Sequence, residues 1–439
     1  MNFNTMSYVD IFYFIHGSKP SDNKPIPTGP ATFPDIKNLT LSQSNKAANY
    51  NSLYVHLPFC LKRCAYCPWI TLGYNEAKVY EYLDALKGEV DLVKNTPYAK
   101  STIFESLYFG GGTPSCLSAD QIREMVTYFR EELPLAKNCE ISFEANPSSL
   151  TYEKAEALAT CGVNRVSLGI QSFNESLLKG LNCSHTPESG RKAIEMLLAA
   201  NLVVNIDLMY GFDGQTTADW EKDLNILADI APQQITLYPL RIFPRTPLFN
   251  TVTKNGSVAY DFKAHEQNLK KFDLVANDIL KKAGYHTAQF PSMYTKEKKE
   301  SFRCIAIEPR TIAFGISAGG FMDSGESRNT FDINEYISSV KAKKLPVKYE
   351  LGLTPRQVRE RFIFFSILFL DRDRPDLRDF IAGSYHDYFG EDMDDIYEYT
   401  LSQMAKHNLV SIDNDRVILT YDGETHFNLP LMIRINFDL

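Results

Sequence analysis

The 439-residue chain is 44% hydrophobic and 23% charged, the make-up of a globular protein with room for two or three structural units. A net charge of −8 and a pI near 5.6 give no electrostatic reason for nucleic acid or an anionic membrane to be the main partner. Of eight cysteines only Cys60, Cys64 and Cys67 cluster, which suits a reducing compartment better than a disulfide framework. No basic segment leads into a long apolar one, and Ile11 to Ile15 is too short to span a bilayer, so a cytoplasmic location is expected.

Residues 1–50, rich in Pro, Asn, Ser and Lys, read as an extended arm without a core, either packed over something else or poorly ordered. From Asn51 the chain alternates short apolar runs with helical periods. Leu53 to Leu57 is the first buried strand, and Val79, Leu83, Leu86, Val90 and Val93 mark an amphipathic helix. Ser106 to Phe109 is a second strand ending in Gly110, Gly111, Gly112, Thr113 and Pro114. Ser118 with Gln121 signs a capping box for the next helix. Glu140 to Glu144 is a third strand, followed by a helix capped at Gly162, and Val166 to Ile170 a fourth, with Gln171 directly after it. Leu202 to Leu208 and Ile235 to Tyr238 complete the set, with a helix around Trp220 to Ile230 between them.

Six strands separated by helices imply an α/β fold, a parallel sheet curled into a partial (β/α)6 TIM-like barrel over residues 51–350. A long helix over 258–284 follows, and the strand and turn from Thr311 to Gly320 are expected to close the open side. From 351 to 439 the pattern is that of a small helical, winged-helix-like α+β domain, with strands at Leu409 to Ile412 and Val417 to Leu419 around a turn at Asn414 and Asp415. From Thr354 onward 9 Lys/Arg face 16 Asp/Glu, which argues for a lid or scaffold and against a duplex-binding wing.

The C-x3-C-x2-C run directly follows the first strand. Three thiolates on one loop admit a structural zinc, unrelated buried cysteines, or a [4Fe-4S] cluster held at three corners; zinc normally closes with a fourth ligand, which favours the cluster. The cysteines, the glycine run, Glu144, Gln171 and Asp207 all fall near C-terminal ends of consecutive strands, the active face of such barrels. Taken singly, a glycine triplet is more often a turn, and the two carboxylates also admit the lesser reading of structural acceptors; their shared registry favours a site.

YVHLPFC, YFGGGTP, SLGIQSFN and NIDLMYG, from about residue 51 to the C-terminus, resemble signatures of the radical S-adenosylmethionine (SAM) superfamily. More narrowly the chain is similar to the oxygen-independent coproporphyrinogen III oxidase-like family, with its haem chaperones, haem-degrading methyltransferases and methylating or cyclopropane-forming branches. The resemblance implies that Cys60, Cys64 and Cys67 ligate three irons of the cluster while SAM chelates the fourth. Tyr54 and Tyr66 would flank the cluster and nucleosides, and Gly110, Gly111, Gly112 and Thr113 would meet the methionine moiety. Glu144 would bind the SAM ammonium or ribose, Asp207 ribose hydroxyls, Gln171 a hydroxyl or carboxylate, and the Gly319 backbone adenine; Tyr66 and Gln171 are assigned to catalysis.

Trp69 stands where porphyrinogen oxidases proper carry a further cysteine, and Cys183 stands where the family usually has arginine, with Arg241 a candidate to replace that cation. The segment before the last barrel strand also lacks the haem chaperones' usual pattern. These departures favour a 5′-deoxyadenosyl radical used for methyl or methylene transfer from a second SAM to an sp2 carbon of a planar, porphyrin-like acceptor. Oxidative decarboxylation and non-catalytic haem carriage are the alternatives. The implied partners are a small-molecule substrate and a flavodoxin- or ferredoxin-like electron donor, with no nucleic acid and no membrane.

Overall fold

The computed structural model describes Leu41, residues 51–240, most of 242–352 and parts of 362–419. The chain divides into two compact units, and the larger, Leu41–Gly320 with Arg328–Lys348, contains every candidate site residue. Its framework is six parallel strands standing side by side in chain order: β1 (Asn51–Leu57), β2 (Phe104–Gly111), β3 (Leu135–Ala145), β4 (Arg165–Gln171), β5 (Val203–Tyr210) and β6 (Gln234–Pro239). The crossovers are α1 (Glu76–Val93), α2 (Ala119–Glu132), α3 (Tyr152–Cys161), the pair α4 (Glu175–Gly180) and α5 (Pro187–Ala199), and α6 (Thr217–Ile230). Each strand read from the sequence is found, with ends moved by a few residues.

Local chemistry sets the boundaries. At the start of α2 the Gln121 amide donates to Ser118 Oγ at 3.2 Å and the Ser118 amide to Gln121 Oε1 at 2.9 Å, so two orphan donors are satisfied reciprocally. Helix α3 stops because Gly162 takes φ +102°, a left-handed cap. The long helix α7 (Phe262–Lys282) buries Leu269, Phe272 and Leu280, and Trp220 Nε1 of α6 donates to the Phe272 carbonyl at 3.0 Å.

The expected closing strand does not close the barrel. At one edge β7 (His286–Gln289) and β8 (Met293–Thr295) form an antiparallel pair, with β8 beside β6. At the other, β9 (Arg310–Phe314) lies parallel to β1 on the side away from β2, registering Asn51 with Arg310 and Val55 with Phe314. The two lateral bonding positions of β6 and of β1 are thereby filled by different strands, and among the described residues nothing joins one edge to the other. Strands β10 (Gly319–Met322), β11 (Gly325–Asn329) and β12 (Val347–Gly352) follow β9 in the chain, and among the described residues the sheet is open.

Strand parity sorts the side chains. Leu53, Val55, Leu57, Leu107, Phe109, Phe143, Leu168, Ile170, Ile206 and Leu208 are buried on the helix-covered face, where Phe109 meets Phe129 of α2 edge-on at 5.6 Å between ring centroids. The intervening residues give an inner face that is polar, unlike the Val/Ile/Leu layers that fill a closed barrel. It is satisfied by bonds across the sheet: Arg165 Nε to Gln234 Oε1 two strands away at 2.7 Å, Asn205 Nδ2 to Ser167 Oγ at 2.8 Å, and Thr236 Oγ1 to Asn205 Oδ1 at 2.9 Å.

In the smaller unit, α9 (Asp394–Lys406) precedes the antiparallel hairpin β13 (Val410–Asp413) and β14 (Arg416–Leu419), registered Ser411 to Ile418. Between the units' sequences, α8 (Ile333–Lys341) belongs to the larger one. The expected arm apart from Leu41, the Asn414–Asp415 turn, Arg241, Cys304 and much of 351–439 lie outside the described residues.

Candidate active site

The cysteine loop is pinned to the ends of β1 and β2. The Gly112 amide donates to the Leu57 carbonyl at 2.8 Å, Thr113 to Phe59 at 2.8 Å, Leu72 to Pro58 at 2.7 Å and Tyr74 to Cys60 at 3.0 Å. Cys60 Sγ lies 3.3 Å from Thr113 Oγ1, so the threonine of the glycine run touches the first cysteine directly. A Cβ on Gly112 would come within 2.7 Å of the Pro58 backbone, and Gly111 holds φ +112° with its missing Cβ facing the His56 ring at 2.7 Å. The triplet is therefore demanded by packing within the protein, which supplies a reason for it independent of any ligand.

All three cysteines are free thiols, Cys60 buried and Cys64 and Cys67 half-buried. Burial pushes Cys60 up and Cys67 to about 12, and each feels the charge of its neighbours in the loop. Cys64 is held down at about 7, first by the neighbouring Cys183 side chain, with Tyr66 and the Lys62 charge adding to the effect. Among the described residues no three His, Cys, Asp or Glu side chains already stand at metal-ligating spacing. The donor set still fits an iron–sulfur cluster: three soft thiols on one anchored loop, within electrostatic reach of one another, whose mutual repulsion on ionising a cationic cluster would relieve.

The inner face supplies the remaining groups. Glu144, near the end of β3, accepts from Tyr108 Oη at 2.8 Å and from the Gly111 amide at 3.1 Å; burial lifts its carboxyl to about 7 despite these donors. Asp207 on β5 accepts from Ser167 Oγ at 2.9 Å and Asn205 Nδ2 at 2.7 Å, and burial raises it to about 6. The two carboxylates feel each other, so they belong to one electrostatic site. Gln171 ends β4 after an irregular step in its pairing with β5 and takes φ +59°, a strained region for a residue with a Cβ. Its Oε1 is buried with no partner among the described residues.

Tyr54 is seated one layer below the loop, its hydroxyl 3.0 Å from His56 Nδ1, while His56 Nε2 lies 3.3 Å from the Ile70 carbonyl. A carbonyl only accepts, so Nε2 carries the proton and Nδ1 accepts from Tyr54. Burial lowers His56 to about 4, and the ring is neutral. Gly319 starts β10 with Arg328 beside it, a Cβ there standing 3.5 Å from the guanidinium. Tyr66 packs beside Cys183 on an apolar cluster of Leu181, Met209, Phe212 and Leu240. The structure thus brings together the cysteine loop, glycine run, Glu144 and Asp207, with Tyr54 beside Glu144 and Tyr66 at the loop, while Gln171 stands at the end of β4. Sequence reasoning missed His56, Arg165, Ser167 and Asn205; all lie at inner-face parity, where a polar residue in a buried strand was the available signal.

Residues 54–227 match the radical SAM superfamily family model. The chain is 31% identical to "Anaerobilin synthase" of Escherichia coli O157:H7 over 67% of its own length and 66% of that protein's. It is 25% identical to "Heme chaperone HemW" of Bacillus subtilis over 85% of this chain and 96% of that one. The fold matches the solved structure of coproporphyrinogen III oxidase (HemN) of Escherichia coli with a TM-score of 0.68 and 22% identity, covering 89% of this chain and 91% of that one.

Proposed function

The chain belongs to the radical SAM superfamily and is a radical SAM enzyme using a [4Fe-4S] cluster and SAM; from that premise we propose that it transfers a methyl or methylene group from a second SAM to an sp2 carbon of a planar, porphyrin-like acceptor. The observation that carries the reading is the junction of an anchored three-thiol loop with a polar, buried inner face bearing two carboxylates and an unpartnered glutamine oxygen. The porphyrin-like class is suggested by the relatives' names, which concern haem, coproporphyrinogen and anaerobilin.

When bound, the cluster and SAM supply one-electron cleavage of a sulfonium and with it hydrogen abstraction from carbon. Cys60, Cys64 and Cys67 would hold three irons. Glu144, near neutrality, accepts from an ammonium or hydroxyl without the full cost of a buried charge. Asp207 takes ribose hydroxyls. Gln171 Oε1 receives a donor from the ligand, which would repay its strained backbone. Tyr54 and Tyr66 form walls that keep water from the reacting carbon.

Anaerobic incubation with methyl-labelled SAM and a tetrapyrrole acceptor tests the proposal: label entering the acceptor supports it, whereas carbon dioxide release without label transfer replaces it with oxidative decarboxylation. Similarity along nearly the whole length of a haem chaperone gives haem carriage as a second reading. Stoichiometric haem binding with no SAM consumption would select that one.

A further inference from the structure

We infer that Asp223 on α6 is a positioning residue: by clamping the turn after β4 it holds Gln171 in its strained conformation and so presents Gln171 Oε1 to the SAM which, on the reading above, the site binds. The turn is tight. The Ser172 amide donates to the Ile170 carbonyl at 2.7 Å with Gln171 between them at φ +59°, the rare and strained form of the three-residue γ-turn. The Gln171 side chain lies back along its own strand, since a Cβ on Gly169 would stand 2.6 Å from Gln171 Nε2. Its Oε1 is buried and has no partner among the described residues.

A residue with a Cβ keeps such a backbone only where its surroundings over-determine it. Here two other segments supply the restraint. From one side His185 Nε2 donates to the Ile170 carbonyl at 2.9 Å. From the other, both oxygens of Asp223 engage the residues directly after Gln171: Ser172 Oγ donates to Oδ2 at 2.5 Å and the Phe173 amide to Oδ1 at 3.0 Å. Ser172 Oγ in turn accepts from the Asn174 amide at 3.0 Å. Asp223 is 1% exposed, and α6 is itself anchored by the bond from Trp220 Nε1 to the Phe272 carbonyl. Asn174 already caps α4, accepting from the Ser176 amide at 3.0 Å, so Asp223 is not needed to start that helix. What it fixes is the pair of residues that follow Gln171, and with them the direction in which the glutamine leaves the strand. An acceptor set in place beforehand binds its donor without a further ordering cost.

The test is a double-mutant cycle on the full chain, reconstituted anaerobically with iron and sulfide, with SAM affinity read by equilibrium dialysis and stability by denaturant unfolding. Gln171→Ala should weaken SAM binding about tenfold, the loss of roughly one hydrogen bond. Asp223→Asn, which keeps an acceptor for the Phe173 amide, and Ser172→Ala, which leaves the carboxylate in place, should each weaken it about three- to tenfold. Joined to Gln171→Ala, neither should weaken binding further, because both act through that side chain. A purely structural role would lower stability and leave the SAM affinity of the folded chain unchanged; that result overturns the inference, as do losses that add in the double variants. If Gln171→Ala binds SAM as tightly as wild type, Asp223 has nothing to position and the inference falls. A wild-type chain that holds its cluster yet binds no SAM sinks the SAM reading itself, a failure seen before any substitution is made.

Discussion

Two buried glutamates, Glu144 at the mouth of the sheet and Glu89 in the seam between α1, α8 and the turn after β9, have carboxyls lifted by burial to the same value, about 7. Their surroundings differ. Glu89 accepts from the Gly315 amide at 2.8 Å, Asn329 Nδ2 at 2.7 Å and Tyr336 Oη at 2.6 Å, three donors from three separate segments. Glu144 accepts from Tyr108 and Gly111, both on β2, beside Asp207 and the thiol loop. A displaced carboxyl therefore does not by itself mark chemistry. Glu89 is a rivet whose partners lie far apart in the chain; Glu144 has a second acid and open-ended neighbours near it.

The comparison makes unequal predictions. The largest effect lies outside both glutamates and fixes the scale: Cys60→Ala should abolish iron retention and SAM cleavage, read by iron analysis and 5′-deoxyadenosine formation. Next, Glu89→Ala strands three buried donors and should cost about 3 kcal/mol or more, at roughly 1–3 kcal/mol for each, measured by denaturant unfolding, while activity per folded molecule is kept. Glu144→Gln should do the reverse. Loss of hydrogen bonding to a charged group, roughly 1.5–3 kcal/mol, lowers SAM affinity or turnover about 10- to 100-fold, with stability within about 1 kcal/mol of wild type. Equal destabilisation by Glu89→Gln and Glu144→Gln would erase the distinction.

A smaller effect concerns pH. The folded-state value of Glu89 is raised from 4.5 to about 7, so across that interval the folded chain retains a proton that the unfolded chain has released. Its contribution is fully present below pH 4.5 and declines as pH rises to about 7, with a slope of at most about 1.4 kcal/mol per pH unit. Glu89→Gln should flatten the wild-type slope of unfolding free energy over this window; parallel curves would count against the assignment. The smallest effect is that of Tyr54→Phe, which removes the donor to His56 Nδ1 and should cost about 1 kcal/mol.

The sequence made the strands, the capping box at Ser118, the Gly162 stop, the gathering of Cys60, the glycine run, Glu144 and Asp207, and the place of Gln171 at the end of β4 legible, because each follows from local periodicity or from position at a strand end. Closure was misread, since whether β9 lies beside β1 or beside β6 depends on pairing between residues some 260 positions apart, Asn51 with Arg310. The Glu89 rivet was illegible for the same reason: its partners Gly315 and Asn329 arrive more than 200 residues later. His56 lies within the YVHLPFC motif, and its parity with Tyr54 places it on the inner face. Cys183 stands where the resemblance implies a cation, and the structure packs it with Tyr66 on an apolar cluster instead.

The polar inner face has a further consequence. Arg165 reaches two strands across to Gln234, and Ser167, Asn205 and Thr236 are laced to one another, so no rung of this floor can be altered without loosening its neighbours. Redesign for a different acceptor should therefore leave the floorboards alone and begin with the segments that arch above the strand ends, where a change of shape carries no debt of stranded polar atoms.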